Sequence, residues 1–132
     1  MTTSDLPAEG QPEVSAEGAE APFDDVITLS TSTDEDGVVT VTVVGEVDTF
    51  TAPVLRSTLD SQLEQQPREL VIDLSGVQFL GSAGLAVLVE TQKSSRSRDV
   101  GLRLIASTRA VTRPLEVTGL IDLFTIADST AR

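Results

Sequence analysis

Residues 70–89 read LVIDLSGVQFLGSAGLAVLV, and this stretch decides the fold. Its first five residues, LVIDL, are almost continuously apolar, the pattern of a strand covered on both faces and paired in parallel. SAGLAVLVETQKSSR (82–96) is apolar all round from Leu85 to Val89, which predicts a deeply packed helix. SGVQFLG (75–81), between the two, reads as a glycine-punctuated loop. A buried parallel strand followed by a buried helix is the repeating unit of an α/β sheet, so more such units are expected on either side.

Upstream, VITLSTS (26–32) and VVTVTVVGEV (38–47) alternate β-branched residues with Thr or Ser around Asp34-Glu35-Asp36-Gly37, which predicts an antiparallel hairpin. Leu55, Leu59 and Leu63 then recur every four residues and predict an amphipathic helix, with Thr51 as its N-cap, Pro53 near the first helical position and Pro67 closing it. Downstream, GLRLIAS (101–107) reads as a strand, RAVTRPLEVTG (109–119) as a helix ending at Gly119, and LFTIADS (123–129) as a last strand. The imide of Pro114 cannot donate within a helix, which places the start of that helix near Arg113. The order ββαβαβαβ defines an α/β fold, a single domain with a mixed β-sheet and helices packed mainly on one side.

With 132 residues the chain has room for one domain and a tail. Residues 1–22 mix Pro, Gly, Ala, Ser and Glu with few large aliphatics, so an acidic disordered N-terminal tail over 1–22 and a domain over 23–132 are expected. The tail has two readings, a solvated segment or an element that recruits a partner. Residues 1–55 carry 12 acidic side chains and no Lys or Arg, while 56–132 carry 9 of each sign. Such a chain repels phosphate backbones and anionic lipid, so no direct nucleic-acid or membrane partner is expected. No apolar run approaches a bilayer span and the first residues lack signal-peptide character, so a cytoplasmic protein is expected. The chain lacks Cys, His, Trp and Tyr, which removes thiol and imidazole chemistry and the common zinc sites.

Two places carry candidate chemistry. Glu46 and Asp48, two apart on a strand end, share a face and suit acid–base work or a metal, but no third oxygen cluster stands nearby, which favours a capping or surface role. The glycine-rich segment 73–85 resembles a phosphate-binding turn superficially, yet no Lys precedes position 93, so a P-loop is excluded. What remains there is Ser82 at a helix start. It reads either as an N-cap or as a hydroxyl that a modifying enzyme reaches, since a phosphate would meet the positive end of the helix dipole there.

Taken together, GEVDTFTAPVLR (45–56), LVIDLSGVQFLGSAGLAVLV (70–89) and RPLEVTGLIDLFTI (113–126) resemble the STAS domain of bacterial anti-sigma factor antagonists across residues 25–130. The resemblance implies a regulatory binding protein and no enzyme, cofactor or metal. It implies a partner, an anti-sigma factor serine kinase of the histidine-kinase-like ATPase fold, whose release of a sigma factor follows binding. A serine phosphatase is implied as a second partner. The family motif Asp-Ser-Ser-Gly-Leu, whose second Ser accepts the phosphate, falls on Gly81, Ser82, Ala83, Gly84 and Leu85, so Ser82 is the expected phosphoacceptor in place of Ala83, ahead of Ser75 and Thr51. The implied partner-binding surface comprises Glu46, Asp48, Thr49, Thr51, Gly81, Ser82, Ala83, Gly84 and Leu85, with Arg56 near it as a structural counter-charge or a rim contact. A phosphorylation-independent scaffold or transport-accessory module is the alternative, and a metal-dependent hydrolase on Glu46, Asp48 and Asp73 the remote one. Few aromatic residues and an aliphatic core favour a monomer when free.

Overall fold

The computed structural model describes residues 27–127, so the acidic stretch 1–22 and its expected disorder lie outside the described residues. Strands β1 (Ile27–Thr33) and β2 (Val38–Val47) form the expected antiparallel hairpin, with Ile27 opposite Gly45 and Thr33 opposite Val39. Asp34 closes the turn: its Oδ1 accepts from the N–H groups of Asp36 at 2.9 Å and Val38 at 3.0 Å, and Gly37 supplies the left-handed residue at φ 83°. There follow α1 (Ala52–Glu64), β3 (Glu69–Leu80), α2 (Ser82–Ser97), β4 (Gly101–Ile105), α3 (Arg109–Val117), a 3-10 turn (Leu120–Leu123) and β5 (Thr125–Ala127). The element order is the one read from the sequence, with the 3-10 turn added.

Strand order in the sheet equals chain order, and every pair after the first is parallel. Each crossover therefore steps the same way along the sheet, and right-handed crossovers that step one way put their helices on one face. Burial agrees: Val39, Val41 and Val43 of β2, Leu70, Ile72 and Leu74 of β3, and Leu104 of β4 share one core with Leu55, Leu59 and Leu63 of α1 and Val111 and Leu115 of α3. Leu85, Val87 and Leu88 of α2 complete it. Val71 points the other way, into a separate cluster with Val38 and Ile105, which is why LVIDL is apolar at successive positions. Helix α2 is packed on one side rather than all round, since Ala86 and Glu90 are exposed.

Two expectations are corrected here. The segment 75–81 is no loop, because β3 continues through it to Leu80. Between Thr42↔Asp73 and Val47↔Leu80 the register shifts twice, so β3 carries two more residues than β2 over this span. Such bulges break the period of two that identifies a strand, and the burial of Ser75–Leu80 follows no alternation. Gly45, at φ 115° beside the second shift, holds a backbone conformation that a side chain would strain. The start of α3 is Arg109 rather than Arg113: the N–H groups of Val111 and Thr112 bond to the Thr108 carbonyl upstream of Pro114, and buried Val111 and Leu115 hold the turn that the imide weakens.

Candidate functional site

The bulged ends of β2 and β3 bring two short segments side by side at the C-terminal rim of the sheet. Residues 46–51 lead from β2 into α1, and residues 79–82 lead from β3 into α2. The two are tied by the Gly81 N–H, which donates to the Val47 carbonyl at 2.9 Å.

The first segment is organised by a reciprocal pair. Asp48 Oδ1 accepts from the N–H groups of Phe50 at 2.9 Å and Thr51 at 3.0 Å, while the Asp48 N–H donates back to Thr51 Oγ1 at 2.9 Å. The Thr51 hydroxyl donates to the Glu46 carbonyl at 2.8 Å, with Asp48 Oδ1 at 3.2 Å as the alternative acceptor. The Ala52 N–H already bonds to the Asp48 carbonyl at 2.8 Å. Thr51 holds the expected N-cap position of α1 but makes no side-chain cap of its own; the side chain that satisfies the entry to the helix is Asp48, in the manner of a capping box. The capping role foreseen for Asp48 holds. Glu46 and Thr49 are exposed, and Thr51 is 2% exposed.

In the second segment Gly81 occupies the N-cap position in an extended conformation, and Ser82 is the first helical residue. The N-cap reading of Ser82 is thereby corrected. The first helical bond runs from the Leu85 N–H to the Gly81 carbonyl at 3.0 Å, which leaves the N–H groups of Ser82, Ala83 and Gly84 without helical acceptors. Ser82 is exposed, and its hydroxyl bonds to no described residue. Ala83 is half-buried.

Not every residue expected on the partner surface lies on it. Gly84 faces inward: a Cβ there would stand 2.6 Å from Val47 Cγ1 and 2.7 Å from Leu80 Cδ1. Leu85 belongs to the core, and Thr51 is buried beneath the loop that it braces. These three support the rim from below, because only a glycine lets the start of α2 approach β2 so closely. The expected outer residues that do lie at the surface are Glu46, Thr49 and Ser82, with Asp48, Gly81 and Ala83 partly covered. Arg56 is not their counter-charge, since its Nη1 pairs with Glu90 Oε1 of α2 at 2.7 Å.

Two of the three carboxylates of the hydrolase reading, Asp48 and Asp73, are held separately by backbone groups, and Glu46 is exposed. Asp48 caps α1, and Asp73 Oδ1 accepts from the Ser75 N–H at 3.0 Å and the Ser75 hydroxyl at 2.6 Å. Among the described residues no three His, Cys, Asp or Glu side chains are grouped to hold a metal ion. The sequence reading passed over two rim residues, Phe50 and Phe79, which are 67% and 52% exposed. The available signal was their chemistry: in a chain with four aromatic residues, two flank the polar positions 48 and 82.

Comparison with known proteins gives this one-sided α/β sheet, with its capped loop beside an open helix start, a family. The STAS domain family matches residues 30–132, and the chain belongs to it. It is 35% identical over 100 residues to the anti-sigma-F factor antagonist RsfB of Mycobacterium tuberculosis, covering 76% of this chain and 80% of RsfB. It is 30% identical over 99 residues to the anti-sigma-B factor antagonist of Staphylococcus aureus, covering 75% of this chain and 92% of that one. A crystal structure of an anti-sigma factor antagonist from Mycobacterium paratuberculosis superposes with a TM-score of 0.74 at 38% identity, over 85% of this chain and 92% of that one. This is a family of non-enzymatic regulators. Among the described residues no helix is long and apolar enough to cross a membrane.

Proposed function

We propose that this chain is an anti-sigma factor antagonist that binds a kinase-like anti-sigma factor through the rim formed by residues 46–51 and 79–83, and so frees a sigma factor. The names of its relatives support the class. The observation that carries the finer reading is Ser82, exposed at the first position of α2 and followed by N–H groups that have no helical acceptor. A phosphoryl group there adds about -1.5 to -2 charges to the binding surface, and the helix dipole and open N–H groups accommodate it without unfolding the helix. Ser82 is accordingly the proposed phosphoacceptor, the anti-sigma factor its kinase, and a serine phosphatase the enzyme that resets it. The working unit is a cytoplasmic monomer comprising a domain over 23–132 preceded by the acidic tail 1–22.

Ala83, at the motif position where the family's acceptor serine stands, favours a second reading in which the complex forms without phosphorylation, as a scaffold. One experiment separates the two. The full chain is incubated with ATP, Mg²⁺ and each histidine-kinase-like anti-sigma factor of its own cell, and added phosphate is located by mass spectrometry. Phosphate on Ser82, lost in Ser82→Ala, is the expected result. A complex without phosphate overturns the switch in favour of the scaffold, and the absence of any complex overturns the antagonist reading.

A further inference from the structure

Five large hydrophobic side chains stand exposed among the described residues: Val44, Phe50, Val54, Phe79 and Val117. Three of them, Phe50, Val54 and Phe79, belong to the two rim segments and the first turn of α1. Phe79 is paired across the sheet with Glu46, and its ring lies against Gly81, where a Cβ would come within 3.1 Å of Phe79 Cε2. Phe50 sits between capping Asp48 and buried Thr51, its N–H fixed on the Asp48 carboxylate, and Val54 follows one helical turn later. Ser82 adjoins the Gly81 that Phe79 covers. The rim thus presents apolar surface on both sides of its exposed polar residues.

We infer that Phe50 and Phe79 are the apolar anchors by which the rim holds its protein partner, and that the partner offers apolar pockets edged by cationic side chains. The inference rests on the proposed antagonist function and names the residues that supply its affinity. Aromatic side chains carry a disproportionate share of interface energy when they enter desolvated pockets, whereas rim charges mainly steer association. Within the two segments 46–51 and 79–83 the charges are of one sign, Glu46 and Asp48, and Arg56 of the adjoining helix is paired with Glu90. A partner that complements this surface is basic around an apolar centre. The same geometry makes Ser82 an effective position for a negative group, because a phosphoryl dianion beside the Phe79 ring keeps its hydration and opposes burial of the anchor.

The test measures binding of the full chain, by isothermal titration, to each purified histidine-kinase-like anti-sigma factor of its own cell. Phe79→Ser and Phe50→Ser are expected to weaken binding about 10- to 30-fold each. Phe79→Leu, which keeps apolar surface, is expected to stay within about threefold of the wild type. Val117→Ser, as exposed as Phe50 but at the far end of α3, is expected to bind as the wild type does. Thermal melts confirm that each variant is folded. If both serine variants bind like the wild type while Ser82→Glu weakens the complex, the anchors are overturned and the antagonist reading stands. If the wild type binds none of these proteins, both fail together. If the serine variants instead abolish self-association of the chain and leave partner binding intact, the patch joins two copies and the inference is overturned.

Discussion

Asp48 is the residue at which a structural and a recognition role can be separated, and its two replacements make different demands. In Asp48→Ala the N–H groups of Phe50 and Thr51 both lose their acceptor. Phe50 is exposed and water replaces the lost bond at little cost, whereas Thr51 is 2% exposed, so its N–H is stranded. A stranded buried donor costs about 1–3 kcal/mol, and loss of a helix cap about 0.5–2 kcal/mol, so a destabilisation of about 2 kcal/mol is expected. In a domain of this size each kcal/mol lowers Tm by roughly 4–8 °C, which puts the alanine variant about 8–16 °C below the wild type. Asp48→Asn keeps an oxygen acceptor in the same place and forfeits only the charge at a helix start, worth about 0.3–1 kcal/mol, for a shift of only a few degrees. Thermal melts with urea titrations at constant m-value measure both. An alanine variant that melts with the wild type would refute the stranded-donor argument, and an asparagine variant as damaged as the alanine one would show that charge, not geometry, holds the loop.

Three further outcomes follow from the same contacts. Ser82→Ala should leave Tm unchanged within about 2 °C, because Gly81 holds the N-cap position and the hydroxyl bonds to no described residue; an N-cap serine would cost about 1 kcal/mol. Gly84→Ala should destabilise by about 1–2 kcal/mol despite alanine's better helix propensity, since its Cβ would meet Val47 Cγ1 at 2.6 Å, and urea unfolding measures the loss. A double-mutant cycle on Arg56 and Glu90 should give a coupling below about 1 kcal/mol that fades in salt, because the two side chains are 48% and 53% exposed.

The sheet and its helices were legible because their periods are clean. Alternation in β2, the four-residue recurrence of Leu55, Leu59 and Leu63, and the doubly apolar LVIDL each have one reading, whereas the strand order is a finding of the structure, because the hand of a crossover sets the face of its helix and not the neighbour of its strand. The end of β3 was not legible, because two bulges shift its side chains between faces and a bulge leaves no periodic trace. The caps were legible only in part: Thr51 holds the N-cap position of α1 without bonding through its side chain as a cap, and Ser82 is not the N-cap of α2. Asp48 and Thr51 are both good capping residues three positions apart, and the turn closed by the Ala52 N–H on the Asp48 carbonyl, ahead of the helix, lets the Asp48 carboxylate take the cap bonds. At α2 the serine is the better capping residue by type, yet the tie of the Gly81 N–H to Val47 fixes the boundary one residue earlier. The resemblance puts positions 84 and 85 on the partner surface, but Gly84 lies about 200° around the helix from Ser82 and Leu85 is held in the core.

That rotation also bears on the proposed switch. The buried residues of α2 are Gly84, Leu85, Val87, Leu88, Thr91, Gln92 and Ser95; Ser82 stands about 160° around the helix from Gly84 and is exposed, whereas Ala83 lies about 100° from Gly84 and is half-buried. An acceptor at 82 in place of 83 therefore presents its hydroxyl in a different direction, on an exposed residue, while keeping the same open N–H groups and the same dipole to receive a phosphate. Gly81 compounds the change. Where the motif would place an aspartate it leaves no side chain, and the Phe79 ring fills the space. A kinase shaped for a hydroxyl at position 83 flanked by a carboxylate would meet at this rim a hydroxyl turned by about a quarter of a circle beside an aromatic ring. Under the proposed function, the two substitutions act together as a specificity device that pairs this antagonist with a partner shaped to the altered rim and insulates it from kinases fitted to the common motif.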